Sequence, residues 1–268
     1  MTVKVFATDM DGSFLNSQND YDRERFKRVF NTIQASGARF VAISGNQYYQ
    51  IRSFFKDYEK EMTIVGDNGA YIVENGRFLT SFTIAKPVIK EAITFIEREI
   101  PQARILLCGE KSAYLKSSMP QDDKDYFGLY YHRLTEVDTF DTLPDDNFLK
   151  CSINIPPEKT SAISHYFNQA FPGQMTATSA EDGNIDLIAT GVHKGAALSL
   201  LLERWGLTSQ ELATFGDGGN DLEMLELANY SYAMANGSEK VKEVAQYQAP
   251  SNDQSGVLAT IEELLKAK

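Results

Sequence analysis

The sequence predicts an α/β fold, a doubly wound and mainly parallel sheet interrupted by an inserted α+β domain. Three observations lead there: short β-branched runs alternate with helical stretches at both ends of the chain, the rhythm breaks in the middle, and Asp- and Gly-rich turns follow several strands. The expected division is residues 1–83 and 189–268 for the sheet-forming part and 84–188 for the insertion.

Residues 3–8 are a short apolar strand, and after an Asp-Gly turn Phe26, Val29, Phe30 and Ile33 recur at helical spacing until Gly37 stops the helix. A second strand is expected over 39–44. A helix with Ile51, Phe54, Phe55 and Tyr58 on one face follows, then a third strand over 63–65. Residues 71–73 and 77–79 flank Asn75-Gly76, which readily takes the positive φ angles of a tight hairpin.

The insertion then reads as a helix marked by Ile89, Ile93, Ile96 and Ile100, strands near Ile105 and Tyr114, and a strand over 148–155. A helix with Ile163, Tyr166 and Phe167 and strands near Met175 and Ile185 complete it. The parallel pattern resumes with a helix carrying Leu198, Leu201, Leu202 and Trp205, a strand over 212–215, a helix after Asn220, a strand over 231–234 and two closing helices.

Hydrophobic residues make up 43% of the 268, enough to drive burial along the whole chain and to exclude a disordered polymer. The net charge of −11, with Lys and Arg scattered, argues against nucleic acid and anionic membrane as partners. No apolar leader and no 18-residue apolar run occur, so a cytoplasmic protein is expected, with no obligate protein partner inferred. Cys108 and Cys151 stand in apolar strand-like runs and read as buried free thiols.

Four constellations fall at strand-to-helix junctions of the parallel part, where open α/β sheets place ligands. Asp9-Met10-Asp11-Gly12-Ser13 sets two carboxylates across a sharp turn, where like charges push their pKa values apart unless a cation intervenes. Gly216-Asp217-Gly218-Gly219-Asn220-Asp221 offers hard oxygen ligands suited to Mg²⁺, with Asp9 and Asp217 as a carboxylate pair. At Ser44-Gly45-Asn46 a hydroxyl and a close-approaching backbone can hold a phosphoryl oxygen, and Lys194 opens a helix and supplies a cation. Each alone is also an ordinary turn, cap or solvated lysine. Together they supply nucleophile, acid, metal ligands, hydroxyl and cation, the set that phosphoryl transfer requires.

In this order the motifs Asp9-Met-Asp-Gly-Ser, Ser44, Lys194 and Asp217-Gly-Gly-Asn-Asp221 resemble those of the haloacid dehalogenase (HAD) superfamily of phosphatases. Asn68-Gly69-Ala70 after the third strand is similar to the Cof-type bacterial sugar phosphatases, which carry a class IIB cap between the second and third motifs. The resemblance implies a Rossmann-like core with a specificity-setting cap, and hydrolysis of small phosphorylated metabolites, chiefly sugar phosphates. It implies that Asp9 attacks phosphorus and Asp11 acts as acid and then base. Mg²⁺ would be held by the Asp9 carboxylate, the Asp11 main-chain carbonyl and Asp217, with Asp221 in support. Ser44, Gly45, Lys194 and Asn220 would bind the phosphoryl group or substrate. Two positions depart from the common pattern: Ser13 stands for Thr and keeps the hydroxyl, while Asn46 stands for Arg and removes a cation.

Two other activities use related parts. A phosphosugar mutase of the same superfamily would return the phosphoryl group to sugar instead of water, and a phospho-receiver would retain it, although a receiver needs no inserted domain. His132, His165 and His193 lack metal-site spacing and read as structural, as do Tyr48 and Tyr49 at a helix start and Tyr130 and Tyr131 in an expected cap strand. Asp122, Asp123 and Asp125 read as solvated surface. The polar, glycine-containing segment 179–184 is a candidate for contact with the sugar.

Overall fold

The computed structural model describes residues 3–179 and 183–266; half of the candidate sugar-contacting segment 179–184, residues 180–182, lies outside the described residues. The chain divides into two compact units, Met1–Gly45 with Ile51–Leu79 and His193–Lys268, and Asn46–Gln50 with Thr80–Val192.

The elements of the first sheet-forming stretch are β1 (Val5–Thr8), α1 (Arg23–Ala35), β2 (Arg39–Ile43), α2 (Tyr48–Phe54), β3 (Thr63–Gly66), β4 (Tyr71–Glu74) and β5 (Arg77–Ser81). The second unit contributes α3 (Lys86–Glu99), β6 (Arg104–Gly109), β7 (Ala113–Lys116), α4 (Gln121–Tyr130), β8 (Leu134–Val137), β9 (Phe148–Asn154), α5 (Thr160–Ala170), β10 (Met175–Ser179) and β11 (Asn184–Ala189). The chain closes with α6 (Lys194–Trp205), β12 (Leu212–Gly216), α7 (Leu222–Leu227), β13 (Tyr230–Met234), α8 (Glu239–Val244), β14 (Tyr247–Ala249) and α9 (Gly256–Lys266).

Among the described residues, one sheet has the order β14-β13-β12-β1-β2-β3-β4-β5. Its strands from β14 to β3 are parallel, and β4 turns back antiparallel to β3. Thus β1 and β12, from opposite ends of the sequence, are neighbours, Thr8 in register with Phe215. Two carboxylate-bearing loops thereby leave the same edge side by side. The Asn75-Gly76 turn has φ 52° and 70°, as the hairpin signal requires.

The α1 stripe Phe26, Val29, Phe30 and Ile33 is buried. Phe26 packs with Phe14, Tyr21, Phe40 and Phe55 at ring separations of 5.4–5.5 Å. Burying each such ring contributes on the order of 2–3 kcal/mol. This cluster also ends α2 earlier than expected. Phe55 and Tyr58 leave the helix in successive turns, each amide bonded three residues back, because Phe55 enters the aromatic cluster and Tyr58 lies 5.0 Å from both Phe26 and Phe30.

In the second unit the sheet order is β10-β11-β9-β6-β7-β8, antiparallel except for β7 with β8. Alternation sorts its two faces. Ile105, Leu107, Cys151, Ile153 and Leu187 pack with α3 and α5, whereas Leu106, Cys108, Ala113 and Leu115 pack with Phe127 and Tyr131 of the α4 region. On the latter face β9 and β11 carry Lys150, Ser152, Asn154, Asn184 and Asp186, with Ser152 opposite Asp186 and Asn154 opposite Asn184. Lys150 is buried and paired with Asp186 at 3.0 Å.

Tyr130 and Tyr131, expected in a strand, instead end α4. Pro120 precedes its first turn, where Asp122 and Asp123 favour the helix dipole, and Tyr131 N–H bonds back to Phe127 O. Asp123 also pairs with Arg104 at 2.9 Å, more than a solvated-surface role. Cys108 and Cys151 are free and buried, and burial pushes the Cys151 thiol up to about 12. No helix among the described residues is long and apolar enough to cross a membrane.

Candidate active site

Asp9 follows the last residue of β1 and is 6% exposed. The chain turns sharply over Met10–Phe14 because Gly12 takes φ 73°, where a Cβ would lie 2.3 Å from Asp217 Oδ2. Only glycine lets the first loop approach the Asp217 carboxylate so closely. Ser13 donates to Asp217 Oδ1 at 2.6 Å, so the hydroxyl kept at this position has a defined task. Asp11 lies in the same turn with extended backbone, φ −72° and ψ 128°, and its charge acts on Asp9.

Lys194 is the first residue of α6 and has no exposed surface. Its helix start is set by His193, whose Nδ1 accepts from Ala196 N at 3.2 Å, which explains that histidine as a cap. Lys194 Nζ donates to Asp9 Oδ1 at 2.5 Å and to Asp221 Oδ1 at 2.6 Å. Asp221 uses its other oxygen to accept from the amides of Asp217 and Gly218, both at 2.9 Å. With both oxygens engaged, Asp221 organises the loop and the lysine. Gly216 makes room for it, since a Cβ there would lie 2.5 Å from Asp221 Cβ.

The remaining motif sits at the end of β2. Ser44 is 2% exposed and its amide donates to Val65 O of β3 at 3.0 Å. Gly45 packs against Asn68 and Asn220, the residue that precedes Asp221. The β1 and β12 loops and the start of α6 thus gather Asp9, Asp217, Asp221 and Lys194, and the β2 loop sets Gly45 against Asn220.

The electrostatics call for another cation. Burial, followed by the charge of Asp221, raises the Asp9 pKa well above its usual range, against the opposing pull of Lys194. Burial and Asp221 likewise raise Asp217, to about 6, with the Ser13 hydrogen bond opposing. Burial disfavours the Lys194 ammonium, but the Asp221 and Asp9 carboxylates and their hydrogen bonds outweigh it and its pKa is raised. One lysine therefore faces three carboxylates. Asp9, Asp217 and Asp221 each present an oxygen within 4.8 Å of the others, a set of hard donors that fits a divalent cation.

Sequence reasoning overlooked a support on the far side of the first loop. Asn236 Nδ2 donates to Gly12 O at 2.7 Å, and Ser238 N donates to Asp217 O at 3.0 Å. Both follow β13, and their position after another parallel strand was the available signal.

The chain is 39% identical over 266 residues to the 5-amino-6-(5-phospho-D-ribitylamino)uracil phosphatase YbjI of Escherichia coli, covering 99% of this chain and 97% of that protein. It is 25% identical over 295 residues to YwtE of Bacillus subtilis, which has the same activity name, with 99% of each chain covered. The crystal structure of SMU.1108c from Streptococcus mutans superposes with a TM-score of 0.95 at 43% identity, covering 99% of this chain and all of that one. The model of the haloacid dehalogenase-like hydrolase family matches residues 6–261, and with the loop geometry above this places the chain in that family.

Proposed function

We propose that the chain is a magnesium-dependent phosphatase that hydrolyses phosphate monoesters of small polyhydroxylated metabolites, sugar phosphates and phosphorylated sugar alcohols, through an aspartyl phosphate on Asp9. The observation that carries this reading is the position of Asp9, buried at the end of β1 and bonded to Lys194 beside Asp217.

Asp9 attacks phosphorus while the bond to the leaving alcohol breaks, and Asp11 gives its proton to the departing oxygen. Asp11 then takes a proton from water as that water attacks the aspartyl phosphate, which releases phosphate and restores Asp9. Ser44, the Gly45 backbone, Asn220 and Lys194 bind phosphoryl oxygens and hold them for in-line transfer. The Asp9 carboxylate, the Asp11 carbonyl and Asp217 would hold Mg²⁺, with Asp221 fixing the loop. When bound, the ion lowers the pKa of Asp9 and neutralises phosphoryl charge.

The inserted unit is assigned the recognition of the rest of the substrate. The polar face of β9 and β11 pairs one cation with one anion and adds hydroxyl and amide groups, chemistry suited to neutral polyols. Two relatives named for a phosphoribityl substrate support the same class. Buried free thiols fit a reducing compartment such as the cytoplasm.

The test is inorganic phosphate release from a panel of sugar phosphates, phosphorylated sugar alcohols, nucleotides and p-nitrophenyl phosphate, with Mg²⁺ or with EDTA. Magnesium-dependent release that favours polyol esters is expected. Isomerised sugar phosphate without phosphate release would replace this reading with a mutase.

A further inference from the structure

The turn Asp67–Gly69 at the end of β3 takes no part in the chemistry above, yet it contacts the loops that carry it. Asp67 and Asn68 both adopt left-handed backbone, φ 51° and 58°, although neither is glycine. Two consecutive residues of this kind cost on the order of 1 kcal/mol each, so surrounding contacts must hold them. Both are buried, at 2% and 4% exposure.

Asn68 N donates to Ser44 O at 3.0 Å, and Asn68 Oδ1 accepts from Asn220 Nδ2 at 3.1 Å. Gly45 lies between them, with space for a Cβ limited to 3.1 Å from Asn68 Oδ1 and 3.5 Å from Asn220 Nδ2. On the other side Gly69, at φ 107°, backs onto His193; a Cβ would lie 2.7 Å from His193 O, one residue before Lys194. One three-residue turn thereby touches the segments that supply Ser44, Asn220 and Lys194.

We propose that Asn68 is a positioning residue for phosphoryl binding, fixing Ser44-Gly45 and Asn220 relative to each other while Gly69 sets the approach to the start of α6. The proposal rests on the reading of Ser44, Gly45, Asn220 and Lys194 as the phosphoryl-binding groups. A purely local alternative is that Asn and Gly are there only to make the turn.

Asn68→Gly separates the two, because glycine accepts the same φ and removes only the amide. Asn75→Gly is the matched control, the same change at φ 52° in the β4–β5 hairpin. Binding of inorganic phosphate to the Mg²⁺-loaded protein is measured by calorimetry, alongside kcat/KM and the Mg²⁺ midpoint in thermal shift. Asn75→Gly is expected to match the wild type. Asn68→Gly is expected to keep the Mg²⁺ midpoint within about twofold while phosphate affinity and kcat/KM fall about tenfold or more.

Unchanged phosphate affinity in folded Asn68→Gly overturns the proposal. Asn68→Ser carries the same readout if the glycine variant does not fold, and failure of both to fold overturns it in favour of a folding role. If wild-type protein binds phosphate but hydrolyses no ester, the functional reading fails while the affinity comparison still decides the positioning role.

Discussion

Lys194 Nζ lies 2.5 Å from Asp9 Oδ1, at the start of a helix where the lysine has no exposed surface. The ammonium reaches the proposed nucleophile from inside the protein, so the pair is a fixed part of the core. Removing one partner of such a pair leaves buried charge of the other sign without its counterion.

Lys194→Met is therefore expected to lower stability by about 3 kcal/mol or more and phosphatase activity by about a thousandfold. Chemical denaturation and kcat at saturating Mg²⁺ measure the two effects. Retention of more than a tenth of the wild-type kcat would contradict the role given to the lysine.

Asp217→Asn is expected to stabilise the metal-free protein by about 1 kcal/mol, because it removes one of three mutually repelling carboxylates. The same change should abolish the rise in Tm produced by Mg²⁺. Thermal unfolding of both proteins with and without the ion reads this directly.

Asp217 also predicts a pH dependence. Its folded-state pKa, raised from 3.8 to about 6, means the metal-free fold binds this proton more tightly than the unfolded chain. That contribution to stability is fully present below the ordinary carboxylate pKa and is lost as pH rises through about 6. A divalent cation must displace the same proton, so the Mg²⁺-induced Tm rise should be small at pH 5 and full by about pH 7.5. Scans across that range are the check; a rise independent of pH would remove Asp217 from the metal site.

Gly12→Ala would force a Cβ to within 2.3 Å of Asp217 Oδ2 at a φ of 73°. The loop must shift, at about 2 kcal/mol in stability and at least about a hundredfold in kcat/KM. Unfolding and initial-rate measurements on the one variant test both.

In the inserted unit, Asp186→Ala should cost about 3 kcal/mol by leaving Lys150 buried without its 3.0 Å partner. Lys150→Met with Asp186→Leu should recover that stability. Both variants should lose about tenfold in kcat/KM for polyol phosphates while staying within about twofold on p-nitrophenyl phosphate.

Three of the site's four motifs were legible because each lies where a short apolar strand ends and the parallel topology brings those ends together; Lys194 instead opens α6, after a strand of the other sheet, and only its helix start was legible. The α1 stripe and the Asn75-Gly76 hairpin were legible through periodicity and turn chemistry. Helix α4 was not, since Phe127 is its one buried residue among the described ones and no apolar stripe marks it. Strand β14 likewise buries only Ala249. The end of α2 depended on aromatic contacts between distant segments, and the left-handed backbone of Asp67 and Asn68 depended on the neighbouring loops. Neither is encoded in local pattern.

The most direct test of the central claim is rapid acid quenching of the enzyme during turnover of a polyol phosphate, followed by peptide mapping by mass spectrometry. A phosphoryl adduct on the peptide containing Asp9, absent in Asp9→Asn together with phosphate release, is the predicted result. Sustained release by a pure Asp9→Asn preparation, or an adduct on another residue, would contradict the mechanism.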